Sequence, residues 1–314
     1  MSLLLEGKSL GHVLDAVIHF NRAHDLIGDA SSSVDVSSRL FDALNKIQTE
    51  WALRHPEQVR HPENPEREVG EVKKFQLTLI DGLDSDRRTL LAKSKELRSL
   101  VAFEPQVMNH DTLRRREYRP DTTLAPDLVR DATQVHRQLV KAHSEMSADS
   151  ATEDRVLKKA AELLYIVRSN IAHGEKTPYG PDLGKRPRDE NVAAVVVPLQ
   201  LVWFDYLLDC PRNKLVAYGT LAPGEPNHRV ISDLPGVWES CTLHGSVTLP
   251  DHLPVFSWNP LEPAVEARLF VSQHLSEAWP RIDQFEGAAY KRRLIPVNTS
   301  EGVTVASIYL SANQ

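Results

Sequence analysis

The spacing of apolar residues changes near Pro211, and this change most constrains the fold of the chain. Before it, apolar residues recur every three or four positions, as over Leu10–Phe20 and Leu40–Trp51, which predicts amphipathic helices. After it, short runs rich in β-branched and aromatic residues alternate with turn residues, which predicts strands and one short helix. Helices followed by strands favour two domains. We therefore expect an all-α helical domain over residues 1–208 and a small α+β domain over residues 213–314.

The composition is that of an ordinary globular protein, with 41% hydrophobic and 25% charged residues. No apolar run approaches the roughly 20 residues that a membrane helix needs, and Glu6 and Lys8 come too early for a signal peptide. The two cysteines, Cys210 and Cys241, fit a reducing compartment. A formal charge of -6 argues against broad coating of nucleic acid. These features predict a cytoplasmic protein with no membrane partner.

Three segments of the helical region carry more specific predictions. Residues 55–71 contain three prolines and few apolar residues, which indicates a loop. Thr89–Val101 has the spacing of a helix. Val195–Leu208 is apolar and predicts the last helix of this region, beginning near Pro198, because proline is tolerated in the first turn.

Two segments of the C-terminal region carry candidate chemistry. The first is AYGTLAPGEPNH, residues 217–228, a strand and loop in which Gly219 permits a positive φ or a close approach. Successive exposed N–H groups in such a loop form a nest for an anion. The second, IDQFEGAAYKRRLIPV, places Glu286 at a helix end beside apolar side chains, where desolvation would raise its pKa toward that of a general base. The alternatives are a plain turn and a surface carboxylate paired with Arg292.

Together with the strand VASIYL, these segments resemble the gamma-glutamylcyclotransferase-like superfamily in order and spacing, especially its gamma-glutamylamine cyclotransferase branch. The resemblance covers about one third of the chain and implies a small mixed β-barrel with flanking helices, without cofactor or metal. The loop backbone would bind the α-carboxylate of a small γ-glutamyl ligand. Glu286 would take a proton from the α-amine, which attacks the γ-carbonyl and releases 5-oxoproline. The implied substrate-binding residues are Tyr218, Gly219, Thr220, Leu221 and Tyr290.

Two segments depart from the pattern of that family. Val265–Ala267 stands where the family often has a glycine, and Pro254–Trp258 is an unusual version of its Pro-containing segment. Both departures bear on the identity of the substrate. They leave a binding domain without turnover as the alternative to an active cyclotransferase.

A second candidate motif lies at the end of the clearest helical pattern, Ala151–His173. Ser150 and Glu153 predict a capping box at its start. Near its end Arg168 precedes His173 by five residues. This spacing resembles the HEPN domain (higher eukaryotes and prokaryotes nucleotide-binding), whose ribonuclease members carry an arginine and a histidine in their last helices.

The HEPN resemblance implies a metal-independent endoribonuclease of the toxin or defence type. His173 would handle the ribose 2′-hydroxyl proton or the leaving oxygen, Arg168 would contact the phosphate, and Asn170 would supply a polar contact. Five residues are about 500° of helix, so one helix places the arginine and histidine about 140° apart. Two copies at a homodimer interface would bring them together, with RNA as a candidate partner. The alternative is a helix-capping histidine and a surface arginine without chemistry.

Metal chemistry has little support in the sequence. No Walker loop, GxGxxG, HExxH or paired CxxC motif occurs, and His136 and His143 are predicted to be solvent-exposed rather than metal ligands. The leading hypothesis is therefore γ-glutamyl cyclotransferase chemistry at Glu286. The first alternative is RNA cleavage at Arg168 and His173, with the C-terminal domain as a regulatory or ligand-binding module. The second is a non-enzymatic interaction protein.

Overall fold

The computed structural model describes residues 10–29, 31–103, 132–147, 149–172, 186–248, 255–259 and 261–312. The helices before Pro211 in these ranges are α1 (Leu10–Gly28), α2 (Ser33–Arg54), α3 (Glu71–Asp81), α4 (Ser85–Ala92), α5 (Lys95–Ala102), α6 (Ala132–Ser144), α7 (Ser150–Ala172) and α8 (Arg186–Leu207). Among the described helices, none is long and apolar enough to cross a membrane.

The chain divides into two compact units. One consists mainly of Ile18–Tyr206, and the other mainly of Leu207–Gln314. The first unit is built from helices around fully buried aromatic side chains, among them Trp51 and Trp203. The Trp203 indole Nε1 donates to the carbonyl oxygen of Leu79 at 2.6 Å, so this large side chain is buried with its polar atom satisfied.

The segment predicted as a loop, residues 55–71, contains a short hairpin, so that prediction was wrong in part. Strand β1 (Arg60–His61) pairs with β2 (Asn64–Glu68). The N–H of Val69 donates to the carbonyl oxygen of Val59 at 2.7 Å, and the Val59 side chain is buried. A buried valine fixes this hairpin, although most of its residues are polar and exposed.

The capping box predicted at the start of α7 was wrong. Glu153 is buried, and its carboxylate accepts from the Thr89 hydroxyl at 2.5 Å and lies 3.0 Å from Lys93 Nζ. The Oδ1 of Asp149 instead accepts the N–H of Ala151 at 3.3 Å. Contacts with a segment more than 60 residues away therefore determine the role of Glu153.

Two further helical boundaries differ from the predictions. Thr89–Val101 is not one helix, because α4 ends at Ala92 and Ser94 caps the start of α5 by accepting the N–H of Leu97 at 3.1 Å. Helix α8 begins at Arg186, so Pro198 lies inside it rather than at its start. The residues before Val195 are mostly polar, and the apolar pattern therefore misses the first turns of α8.

His136 also departs from its prediction, because it is buried rather than solvent-exposed. Its Nε2 lies 3.1 Å from the carbonyl oxygens of Leu100 and Val101, which join α6 to the end of α5. Across the described ranges, no group of three or more His, Cys, Asp or Glu residues could hold a metal ion.

The second unit contains a closed, barrel-like sheet. After a 3-10 turn at Pro211–Asn213 come β3 (Lys214–Ala217), a second 3-10 turn (His228–Val230), β4 (Val237–Thr248), β5 (Val255–Trp258), β6 (Ala264–Val271), α9 (Leu275–Glu286), β7 (Tyr290–Thr299) and β8 (Gly302–Ser311). The strand order is β5-β4-β6-β3-β8-β7, and pairing of β4 with β7 closes the sheet. Strands β3 and β8 are parallel, whereas the other pairs are antiparallel.

Alternate residues of β3 face two different cores, as the period of a strand requires. Val216 joins the barrel interior with Phe256 and Ile308. Leu215 and Ala217 instead join a core that includes α9 residues such as Trp279 and Ile282. Strand β3 therefore lies between the barrel interior and α9, and its C-terminal end leads directly into the AYGTLAPGEPNH loop.

Candidate active site

The loop after β3 is held by its own hydrogen bonds. The N–H of Asn227 donates to the Thr220 carbonyl oxygen at 3.0 Å, and its side-chain amide donates to the Thr220 hydroxyl at 3.1 Å. His228 Nδ1 lies 3.1 Å from the carbonyl oxygen of Leu221. The positive φ of this loop belongs to Gly224, at 86°, and not to Gly219. The backbone conformation at position 219 therefore does not require a glycine. Gly219 does line the same cavity as Glu286.

Glu286 is placed by the amphipathic spacing of α9. Ala278, Trp279 and Ile282 are buried on one face of the helix, and Glu286 lies one turn after Ile282 on the same face. The helix ends there because Gly287 adopts a φ of 66°, a conformation that favours glycine, and its N–H donates to the Asp283 carbonyl oxygen at 3.0 Å. The carboxyl group is thus carried by a rigid element that ends at the site.

Glu286 and the loop line the same cavity, which has a volume of about 270 Å³. All the residues predicted from the cyclotransferase resemblance border it, namely Tyr218, Gly219, Thr220, Leu221, Glu286 and Tyr290. Sequence reasoning missed other residues of the lining, among them Val216, Asn227, Phe285, Ala289 and Tyr309. Asn227 lies in the AYGTLAPGEPNH loop, and the signal for Tyr309 was a tyrosine in the mostly apolar strand VASIYL.

Burial controls the electrostatics of this cavity. It raises the pKa of the Glu286 carboxyl from 4.5 to about 7. Burial also raises the pKa of the Tyr218 and Tyr290 hydroxyls, and the charge of Glu286 contributes in the same direction. A carboxyl group with a pKa near 7 is suited to accept and return a proton at neutral pH.

The predicted alternative, a surface carboxylate paired with Arg292, describes Asp283 and not Glu286. Arg292 Nη2 lies 3.3 Å from Asp283 Oδ2, and its guanidinium lies 4.3 Å from the centre of the Trp279 ring. The Asp283 side chain is 44% exposed, whereas burial dominates the pKa of Glu286. These neighbouring carboxylates therefore occupy different environments, one ion-paired at the surface and one in the cavity.

A chain of hydrogen bonds joins the last turn of α9 to the loop. The Tyr309 hydroxyl donates to Asp283 Oδ1 at 2.5 Å. The Tyr218 hydroxyl donates to the carbonyl oxygen of Tyr309 at 2.8 Å, and the Tyr218 ring packs on Phe256. Tyr309 of β8 therefore links Asp283 with Tyr218, the first residue of the loop after β3. Asp283 lies one helical turn before Glu286.

Removing the Tyr309 hydroxyl should loosen the last turn of α9. A hydrogen bond to a charged group contributes about 1.5–3 kcal/mol, so Tyr309→Phe should speed amide hydrogen exchange of residues 283–287 by roughly 10-fold or more. Mass spectrometry of the whole chain measures this, with peptides from α7 as the internal control. Unchanged exchange at 283–287 would show that the bond does not hold the turn.

The second predicted motif cannot be assembled from the described residues. Arg168 is half-buried, with its guanidinium 5.7 Å from the centre of the Tyr165 ring. Asn170 lies in α7, but its side chain is outside the described residues, as is the whole of His173. The N-terminal region is helical, as predicted, and its resemblance to HEPN domains stays a prediction.

Comparison with known proteins bears on the C-terminal unit. Residues 215–314 match the family model described as gamma-glutamyl cyclotransferase, AIG2-like. No curated protein matches the chain. Among solved structures, YkqA from Bacillus subtilis is 25% identical, with 32% of this chain and 35% of that chain covered and a TM-score of 0.28. The matched part thus spans only about a third of YkqA.

Two other solved structures match over a similar share of the chain. PH0828 from Pyrococcus horikoshii is 22% identical, with 32% of this chain and 79% of that chain covered and a TM-score of 0.26. An AIG2-like protein from Mus musculus is 20% identical, with 32% and 78% covered and a TM-score of 0.28. The family model and the barrel-like sheet agree on the same third of the chain: residues 215–314 form a gamma-glutamyl cyclotransferase, AIG2-like domain.

Proposed function

We propose that the C-terminal domain is a γ-glutamyl cyclotransferase that releases 5-oxoproline from a γ-glutamyl amine or peptide. The observation that carries this proposal is the desolvated Glu286 carboxyl, which borders one small cavity together with Tyr218–Leu221. The family match to gamma-glutamyl cyclotransferases supports the same class of reaction.

In this proposal the loop binds the γ-glutamyl group through its main-chain N–H groups. These groups donate hydrogen bonds and therefore favour the α-carboxylate. Tyr218 is fixed by its hydrogen bond to Tyr309, and Asn227 fixes Thr220, so the loop is preorganised before the ligand binds. Holding the α-amine against the γ-carbonyl of the same ligand replaces an intermolecular encounter by a ring closure.

The proton transfers begin and end at Glu286. The ionised carboxylate takes a proton from the α-amine as its nitrogen bonds to the γ-carbonyl carbon. The protonated carboxyl then gives that proton to the leaving nitrogen as its bond to the γ-carbon breaks. The products are 5-oxoproline and a free amine, and no water is consumed. A pKa near 7 suits both steps, because the group is neither a very weak base nor a very weak acid at neutral pH.

The proposal is tested by measuring 5-oxoproline released from a panel of γ-glutamyl amides by the full-length protein. The matched control is each amide with its α-amine acetylated, which removes the nucleophile and leaves the amide bond intact. We expect product from one or more free-amine amides and none from the acetylated compounds. Absence of product from the whole panel would contradict the proposal, and product from acetylated amides would indicate a different reaction.

A further inference from the structure

A second, larger cavity of about 870 Å³ lies beside the Glu286 cavity in the C-terminal unit. The two cavities share the residues Ala217, Tyr218, Gly219 and Thr220, so the loop forms part of the wall of both. The Glu286 cavity, at about 270 Å³, is at the lower end of the roughly 300–1,000 Å³ of ordinary ligand sites. The Glu286 cavity has room for a glutamyl group, and a large leaving group would have to lie outside that cavity.

The wall of this second cavity, which we call the β4–β6 groove, carries polar and charged side chains beside apolar ones such as Ala222 and Ala267. Besides the shared loop, its side chains include Ser240, Thr242, Glu266, Arg268, Asn298 and Thr299. An apolar ligand would remove these groups from water without replacing their hydrogen bonds, which costs roughly 1–3 kcal/mol for each buried group. The groove therefore favours a ligand that places polar groups against these side chains.

The strand register determines where the charges of the groove lie. Arg268 is opposite Ala217 of β3 and Ser240 of β4, and Glu266 is opposite Thr242 of β4. Because Arg268 and Glu266 are two residues apart in one strand, their side chains lie on the same face, about 7 Å apart along the strand. Arg268 is thus the charged side chain next to the end of β3, where the loop begins.

Arg268 is positioned to recognise an anion. Its Nη1 donates to the Ser240 hydroxyl at 3.1 Å, which uses one of the five N–H groups of the guanidinium. The flat guanidinium matches a carboxylate through two parallel hydrogen bonds. Glu266 and Glu225 also border the groove and would repel additional negative charge. A single carboxylate that pairs directly with the Arg268 guanidinium gains two hydrogen bonds that offset this repulsion, whereas a second carboxylate would meet Glu266 and Glu225 without such a partner.

We propose that the β4–β6 groove is the subsite for the leaving amine, and that Arg268 selects leaving amines that carry a single carboxylate. This inference rests on the proposed cyclotransferase function and assigns a specificity-determining residue to it. The substrate spans the shared loop, with its glutamyl end beside Glu286 and its leaving group in the groove.

The test compares two almost isosteric substrates, γ-glutamyl-alanine and γ-glutamyl-alaninamide, which differ in a carboxylate and a carboxamide. The wild-type protein should show a kcat/KM for γ-glutamyl-alanine about 10-fold or more above that for the amide. Arg268→Gln should remove most of this preference by lowering kcat/KM for γ-glutamyl-alanine roughly 10- to 100-fold, with little change for γ-glutamyl-alaninamide. Glu266→Gln should improve the use of γ-glutamyl-glutamate, whose leaving group carries two carboxylates.

Arg281→Gln is the matched control, because Arg281 pairs with Asp233 and does not border either cavity. Arg268→Lys keeps the charge and should retain part of the preference, which provides a second variant should the glutamine variant fold poorly. Equal effects of Arg268→Gln on the two substrates, or no effect on either, would overturn the subsite while leaving Glu286-dependent turnover intact. Absence of 5-oxoproline from every amide with the wild-type protein would overturn both proposals.

Discussion

Replacing Glu286 by glutamine should lower kcat/KM for 5-oxoproline formation by roughly 100- to 10,000-fold, the range supplied by a positioned general acid–base group. Glutamine has nearly the same size and hydrogen-bonding reach as glutamate, but it neither accepts a proton from the α-amine nor returns one to the leaving nitrogen. The residual rate would reflect the positioning of the ligand by the loop, which this substitution leaves in place. The measurement is the steady-state release of 5-oxoproline from the best amide of the panel.

The matched control for this experiment is Glu277→Gln. Glu277 lies in the first turn of the same helix, is exposed, and borders neither cavity. Its replacement removes the same charge from α9 and should leave the rate within a factor of two or three. Similar rates for the wild-type protein and Glu286→Gln would mean that the proton acceptor is a different group. Similar losses in both glutamine variants would indicate a general effect of charge on α9.

The same substitution should stabilise the protein at alkaline pH. Folding raises the pKa of the Glu286 carboxyl from 4.5 to about 7, so the folded state binds more protons than the unfolded state between these values. The free energy of unfolding therefore falls as the pH rises from 4.5 to about 7, and the penalty is complete above that range. Glutamine carries no such penalty, and after allowance for partial solvation Glu286→Gln should gain roughly 1–3 kcal/mol at pH 8.

Thermal unfolding of the two proteins at pH 5 and pH 8 measures this effect. We expect the variant to unfold several degrees higher than the wild-type protein at pH 8, with a smaller difference at pH 5. Glu277→Gln, which is exposed on the same helix, should show no comparable pH-dependent gain. An equal shift of Glu286→Gln at both pH values, or a loss of stability at pH 8, would contradict a desolvated carboxyl at this position.

The site illustrates what local sequence can predict. The apolar spacing of Ala278, Trp279 and Ile282 orients α9, and Gly287 ends it, so the half-buried position of Glu286 follows from residues within two helical turns. The strand-loop AYGTLAPGEPNH has its own turn residues and side-chain hydrogen bonds. The cyclotransferase resemblance rests on these local signals, and the structure brings the two segments to one cavity.

Other features depend on partners that are distant in the sequence. Glu153 has the spacing of a capping residue, but its contacts with Thr89 and Lys93 override that local pattern. Tyr309 lines the Glu286 cavity and donates a hydrogen bond to Asp283, which is 26 residues away. Arg268 lies in the β4–β6 groove because the register of β4 and β6 places it opposite Ser240. Such contacts require the tertiary arrangement, which apolar periodicity and turn residues do not supply.

The most direct test of a half-buried, proton-accepting Glu286 is the titration of its carboxyl carbon by NMR. The full-length protein would be labelled with ¹³C at the glutamate δ-carbons, and the Glu286 resonance assigned by its absence from the spectrum of Glu286→Gln. We expect a titration midpoint near 7, because the cavity desolvates the Glu286 carboxyl. A midpoint near 4.5, the value of a solvated glutamate, would contradict it.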